Sequence, residues 1–537
     1  FSEDLMKHLT SVQSHYAELF EDMPSLNING LDPIKVKDTL VTADVLSRMG
    51  FSDTEKGLAT IDNWHSGRYM SMRSKQARAR LTDFQLVLLD ALSKTAEPDQ
   101  ALISFDRFLA NLPAGIQLFS LLKSNPNLLR LLADIMGTAP RLSQFLSRHS
   151  RVLDAVLDPG FFGEVPTDEV LEELITKVIT EATDYQDVLD GIRSIGQEKA
   201  FLIGVRTLSG TISAAESGYA YAKLAEFLID PLVDRVKSEL ESKSGKIKDG
   251  EVAVLAMGKL GGREMTASSD LDIIVIYDFD QDCLQSDGSK ALAPTQYYNR
   301  LTQRLLSALS APTTYGSLYE VDTRLRPSGR SGPLATRFDS FSQYQKESAW
   351  TWEHMALTRA RIISSTQGLE DKLNAEIKDI LTAPRDPEKI ALDVRDMRKR
   401  IANEHGTLEH WHIKRVRGGL LDVEFITQYL QLIHAHKHPE ILDQNTRDAL
   451  AKISKAGLIT EYQSETLIEA ARLYSKLIQI LRLCVSDQFS PDSAPPGLKN
   501  LLVRTSNDPA FSQLEANLRE KLAAVKKIYD EILGEEA

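Results

Sequence analysis

The stretch "GKLGGREMTASSDLDIIVIYD", residues 258–278, puts a glycine-rich turn and then two acidic residues at the mouth of an apolar strand. Alternate residues of a strand share a face, about 6.5–7 Å apart along the chain. Asp270 and Asp272 therefore point one way, while Leu271, Ile273 and Val275 point into a core. A strand whose composition demands burial opens with two carboxylates on the same side, and the pattern predicts a site at its mouth.

Working outward, the polar break "KSGKIKDG" gives way to "EVAVLAM", a short apolar run bounded by glycine that reads as the preceding strand. Downstream, "TQYYNRLTQRLLSALS" places Tyr298, Leu301, Leu305 and Leu309 on one side of an amphipathic helix. "GSLYEVDTRLRP" then reads as a third strand, with Tyr319, Val321 and Leu325 on one face and Glu320, Asp322, Arg324 and Arg326 on the other.

The rest is helical in period. "ALISFDRFLANLP" carries Leu102, Phe105, Phe108, Leu109 and Leu112 on one stripe, with Pro113 as its stop. In "SNPNLLRLLADIMGTAP", Asn125 suits a cap, Pro126 the first turn and Gly137 the exit, and Pro140 is expected to block resumption. "GYAYAKLAEFLIDPLVDRVKSEL" is a further long helical pattern, and Leu421, Phe425, Tyr429 and Leu432 mark a stripe near the end. The expected fold is mostly α with a central α/β domain, a small mixed sheet, flanked by helical bundles. Its expected domains are a helical region over 1–245, a catalytic domain over 246–385 and a helical bundle over 386–537.

Composition narrows the partners. A formal charge of −13 works against non-specific attraction to a polyanion, which needs clustered Lys and Arg. The apolar runs are far shorter than the roughly 20 residues of a membrane span. Two cysteines, Cys283 and Cys484, are too few for a disulfide framework and fit a reducing cytoplasm. The chain opens at Phe1, with no signal-peptide pattern, and is expected to continue a longer parent.

If the third strand neighbours the second, Asp322 completes a triad with Asp270 and Asp272. Three nearby anions repel, and a hard divalent cation relieves that repulsion; oxygen-only ligands suit Mg²⁺, which takes its remaining ligands from waters and substrate phosphates. Such a site serves in-line phosphoryl displacement. The turn fits neither the P-loop nor the dinucleotide fingerprint. In the competing reading the acids are ion-pair partners of Arg324 and Arg326 and the glycines form a simple turn.

"GKLGGREMTASSDLD" resembles the signature of the nucleotidyltransferases of the DNA polymerase β superfamily. Taken with "YEVDTRLRPSGRSG", "YQKESAWTWEHMALTRAR" and "GGLLDVEFITQYLQLIHAHKHP", it resembles the glutamine synthetase adenylyltransferase family from roughly residue 210 to the end. The resemblance implies a Mg²⁺-dependent transfer of AMP from ATP to a tyrosine of glutamine synthetase by the carboxyl-terminal, adenylylating half of a bifunctional enzyme. It also implies PII signal protein as a partner and glutamine as an effector. The alternatives are the adenylyl-removing half and an inactive regulatory scaffold. By the same resemblance Asp270, Asp272 and Asp322 hold the metal and carry catalysis, with Asp322 preferred to Glu320. Gly258, Lys259, Ser269, Arg324 and Arg326 are expected around the nucleotide, although Lys259 stands where many relatives have Ser. The two arginines either hold phosphate oxygens or orient the acids. "AWTWEHMALTRAR" reads as a helix on which Trp350 and Trp352 either join the core or stack on adenine. His434 and His438 lack the further ligands of a zinc site.

Overall fold

The computed structural model describes residues 41–112, 115–149, 152, 168–313, 315–406, 409–485 and 488–534. The chain divides into two compact units, residues 1–165 with 493–499 and residues 166–492 with 500–537.

The described part of the first unit is helical. Helix Pro98–Asn111 buries Leu102, Phe105, Phe108 and Leu109, the stripe read from the sequence, and Leu112 is buried just beyond it. Pro113 lies outside the described residues. Two expectations are corrected nearby. Gly137 lies inside helix Pro126–Thr138, where a Cβ would sit 2.2 Å from Oγ1 of Thr95, so it serves close packing and not the exit. Pro140 does not stop the chain from resuming; it occupies the first turn of helix Pro140–Arg148, where its missing N–H leaves no bond unmade.

The second unit holds the sheet. Ser213 and Glu216 form a capping box that starts the helix Ala214–Ser244, which carries Pro231 in its interior and ends at Gly245, φ 74°. Strands β1 (Glu251–Ala256) and β2 (Leu271–Asp278) follow and pair antiparallel, from Glu251 opposite Asp278 to Ala256 opposite Ile273. β2 is buried on both faces beyond its mouth: Ile274 and Ile276 are covered as fully as Ile273 and Val275.

Helix Pro294–Ser310 carries the chain back across the sheet, with Tyr298, Leu301, Leu305 and Leu309 buried and Tyr298 stacked on Tyr277, ring centroids 4.2 Å apart. After this crossover the next strands, β3 (Val321–Asp322) and β4 (Ala335–Arg337), run parallel to β2. β5 (Arg361–Ser364) closes the other edge, antiparallel to β1. The long helix, both central strands and the crossover helix share one hydrophobic core.

The third strand is much shorter than its alternation suggests. Asp322 Oδ1 accepts the backbone N–H of Arg324 at 2.8 Å, and this side-chain turn ends the strand. Arg324 and Arg326 consequently do not continue one strand face. The arginines of "AWTWEHMALTRAR" are also displaced from expectation, because helix Thr351–Leu357 ends before Arg359, and Arg361 opens β5. Beyond β5 the unit is helical, including Leu420–His434, Thr446–Lys455 and Glu461–Cys484. Phe425, Tyr429 and Leu432 of the predicted late stripe are buried. No helix among the described residues is long and apolar enough to cross a membrane.

Candidate active site

The parallel register of β2 and β3 sets Leu271 beside Val321 and Asp272 beside Asp322, with Leu271 N–H bonded to the Glu320 carbonyl at 2.9 Å. Paired residues in register share a face, so Asp322 joins the side on which Asp270 and Asp272 lie. Each of the three carboxylates offers an oxygen within 4.8 Å of the other two. Glu320 is exposed and contributes its backbone to the ladder, outside that group.

The three acids differ in surroundings. Asp270 is exposed, and Asp272 and Asp322 are half-buried. Burial, then the charges of Asp270 and Asp322, push the Asp272 carboxyl up to about 6, against the opposing pull of Lys414 and Arg359. For Asp322 burial works upward too, but hydrogen bonds from the Arg324 guanidinium and backbone outweigh it and hold the carboxyl below its ordinary value. Arg324 Nε donates to Asp322 Oδ2 at 2.7 Å and its Nη2 is also bonded there.

Among the described residues no side chain donates to the carboxylates of Asp270 or Asp272. Hard oxygen donors only, gathered closely and with two of three lacking a cationic hydrogen-bond partner, fit a Mg²⁺ ion.

The glycine turn abuts this cluster. Gly258 has φ +53°, and a Cβ there would lie 2.3 Å from Oδ2 of Asp272, so both the left-handed backbone and the close approach require glycine. Residues Gly258–Gly261 form one helical turn. The next two glycines serve another purpose. A Cβ on Gly261 would fall 1.8 Å from the Arg359 carbonyl, and one on Gly262 2.3 Å from Nη2 of Arg359.

Lys259 has no side-chain hydrogen bond among the described residues, and burial foremost lowers its ammonium to about 8, with Lys414 adding to the effect. Its side chain lines a cavity with Glu264, Glu424, Thr446, Ser475 and Gln479. Ser269 braces its own loop: its hydroxyl receives the Thr266 N–H at 2.9 Å and lies 3.0 Å from Oγ1 of Thr266.

Arg326 is buried and holds the loop after β3, donating to the Thr323 carbonyl at 2.7 Å, Thr323 Oγ1 at 2.8 Å and the Pro333 carbonyl at 3.0 Å. Of the two expected arginines, then, Arg324 orients an acid and Arg326 organises backbone. Trp350 is 70% exposed, so it does not join the core.

Arg359 and Arg361, both within "AWTWEHMALTRAR", are functional-site neighbours that the helical pattern does not point to. Arg359 bridges Glu264 and Glu424, the latter at 2.8 Å. Arg361 donates to the carbonyls of Gly261 and Leu260, at 3.1 and 3.0 Å, and to Glu226 at 2.5 Å. The one signal for Arg361 was its place in front of the apolar pair Ile362 and Ile363, which marks a strand entry.

Residues 129–376 match the family model described as Glutamate-ammonia ligase adenylyltransferase, and residues 389–533 match the one described as GlnD PII-uridylyltransferase. The chain is 44% identical over 538 residues to the Bifunctional glutamine synthetase adenylyltransferase/adenylyl-removing enzyme of Bradyrhizobium sp. strain BTAi1, covering 100% of this chain and 54% of that protein. It is similarly 44% identical over 535 residues to the enzyme of that name from Rhodopseudomonas palustris strain BisB5, covering 99% of this chain and 54% of that protein. For the enzyme of that name from Brucella melitensis biotype 1 the identity is 44% over 537 residues, again 99% of this chain and 54% of that protein. The chain spans about half the length of the curated relatives it matches.

Proposed function

We propose, from the premise that the chain carries a glutamate-ammonia ligase adenylyltransferase domain across residues 129–376, that it transfers AMP from ATP to a tyrosine hydroxyl of glutamine synthetase and releases pyrophosphate. The observation that supports this most is the convergence of Asp270 and Asp272, at the mouth of β2, with Asp322 of the neighbouring parallel strand β3. In this reading residues 246–385 are the catalytic domain, and 386–537 form a helical bundle against which it works.

Asp270, Asp272 and Asp322 would hold Mg²⁺. Bound there, the ion would neutralise charge on the triphosphate and polarise the α-phosphate. The chain's own groups do the remaining work. Gly258 leaves room for the Asp272 carboxylate at the turn, and the first N–H groups of a helical turn have no intrahelical partner and suit phosphate oxygens. Arg324 keeps Asp322 ionised and fixed in direction. A tyrosine phenol titrates near 10 in water, so its attack at neutral pH needs help in losing its proton, which a bound metal ion or an acidic group such as Asp322 would give. Lys259, titrating near 8, keeps most of its charge at pH 7 and adds a positive potential behind the turn.

The match of residues 389–533 to GlnD PII-uridylyltransferase supports PII as a regulatory partner. Glutamine as effector and a cytoplasmic location belong to the same reading. The relatives' name carries two activities, which keeps phosphorolytic removal of AMP as a second reading. One pair of assays separates them. The adenylylating reading expects α-labelled ATP to label glutamine synthetase in the presence of Mg²⁺; formation of ADP from adenylylated glutamine synthetase and orthophosphate, without labelling in the first assay, replaces it with the second.

A further inference from the structure

Beyond Gly258, the glycine loop is held from outside at almost every position. Arg361 takes the carbonyls of Leu260 and Gly261. Asn445 Nδ2 donates to the Gly262 carbonyl at 3.1 Å. Glu264 is bonded by Arg359 and accepts the Thr446 N–H at 3.1 Å. Gln479 Nε2 donates to the Met265 carbonyl at 2.7 Å.

Asn445, Thr446 and Gln479 come from the region that matches a different family model from the one covering the loop. Gln479 is 3% exposed, and its amide is spent on that one carbonyl while Oε1 has no partner among the described residues, an arrangement that serves the loop and not the helix. Asn445 does two jobs at once: Oδ1 caps its own helix through the N–H groups of Arg447 and Asp448, and Nδ2 reaches across to Gly262.

The loop these groups clasp ends at Gly258, against the Asp272 carboxylate. We propose that Asn445 and Gln479 are positioning residues for AMP transfer, through which the carboxyl-terminal helices set the glycine turn against Asp272. The assignment rests on the function proposed above. A displacement of reacting groups by about 1 Å is enough to lower a rate by about a hundredfold, so partial loosening has a measurable effect.

Asn445→Asp separates the two jobs of that residue, since Asp caps a helix as well as Asn but offers Gly262 no donor. Gln479→Met removes the other donor at similar volume. In the full chain, amide exchange across residues 258–265 should accelerate by about tenfold or more in either variant. The affinity of the triad for Mn²⁺, titrated without nucleotide, should weaken, and kcat should fall by about tenfold or more while KM for ATP moves by less than about threefold. Unchanged exchange, or faster exchange with wild-type kcat and Mn²⁺ affinity, overturns the proposal. If the wild-type chain transfers no AMP, the functional reading falls separately, and the exchange and Mn²⁺ measurements still decide: both altered supports the clasp, either unaltered overturns it.

Discussion

Gly258 and Asp272 are built against each other: the glycine sits at φ +53°, and the space a Cβ would fill is taken by Oδ2 of the aspartate, 2.3 Å away. A residue from the turn and a residue from the strand therefore define one edge of the acidic cluster, and each limits what the other can become.

Gly258→Ala should abolish or nearly abolish AMP transfer while leaving the helical circular dichroism intact. The left-handed backbone alone disfavours Ala by about 1–2 kcal/mol, and the overlap with Asp272 adds to it. Urea unfolding alongside the labelling assay checks both parts; wild-type transfer by this variant would mean the contact is dispensable.

Asp272→Asn should lose activity yet stabilise the metal-free protein. The ordinary carboxyl value is 3.8, whereas in the fold Asp272 is pushed up to about 6. Between those values the folded state holds the extra proton, so its stability at this site grows as pH falls from 7 toward 4, and at pH 7 the ionised group is a burden. Removing that charge should raise Tm at pH 7, with the gain shrinking toward pH 4. Calorimetry of both proteins across that range, without divalent cations, reads the sign directly.

The same proton should compete with the cation. Below about pH 6, each further unit should raise the Mg²⁺ concentration needed for half-maximal binding by about tenfold, because the ligand must be deprotonated. Titration calorimetry at pH 5, 6 and 7 measures it; a pH-independent midpoint would remove Asp272 from the ligand set.

Arg324 and Arg326 should behave differently despite their spacing. Arg326→Lys cannot reproduce the fork that holds Thr323 and Pro333, and should destabilise the fold by on the order of 2–3 kcal/mol. Arg324 is exposed, so Arg324→Gln should change stability by about 1 kcal/mol or less, while freeing Asp322 to bind a divalent cation more tightly. Paired unfolding curves and Mn²⁺ titrations distinguish the two.

Much of this was legible in the sequence where the period is simple. The run Leu271 to Tyr277 announced a buried strand, and alternation placed Asp270 and Asp272 on its open face. The crossover helix was equally plain, because Tyr298, Leu301, Leu305 and Leu309 fall on one stripe. What alternation could not reveal was where the third strand stops: Asp322 bonds the backbone N–H of Arg324 and turns the chain, a local side-chain competition invisible to periodicity. Pro140 misled for a related reason, since proline that ends one helix can equally begin the next. The clasp on the glycine loop was the least legible part. Arg359, Asn445 and Gln479 lie 97, 183 and 217 residues beyond Gly262, and only the packed fold brings them together.

AMP transfer, in the proposed function, depends on Asp322 completing a cation site with Asp270 and Asp272. The most direct test is the rate at which α-labelled ATP labels glutamine synthetase with saturating Mg²⁺, compared between wild type and Asp322→Asn at matched folding. The wild type should label readily, and the variant should lose about a thousandfold or more of the rate. Labelling by Asp322→Asn at the wild-type rate would contradict it.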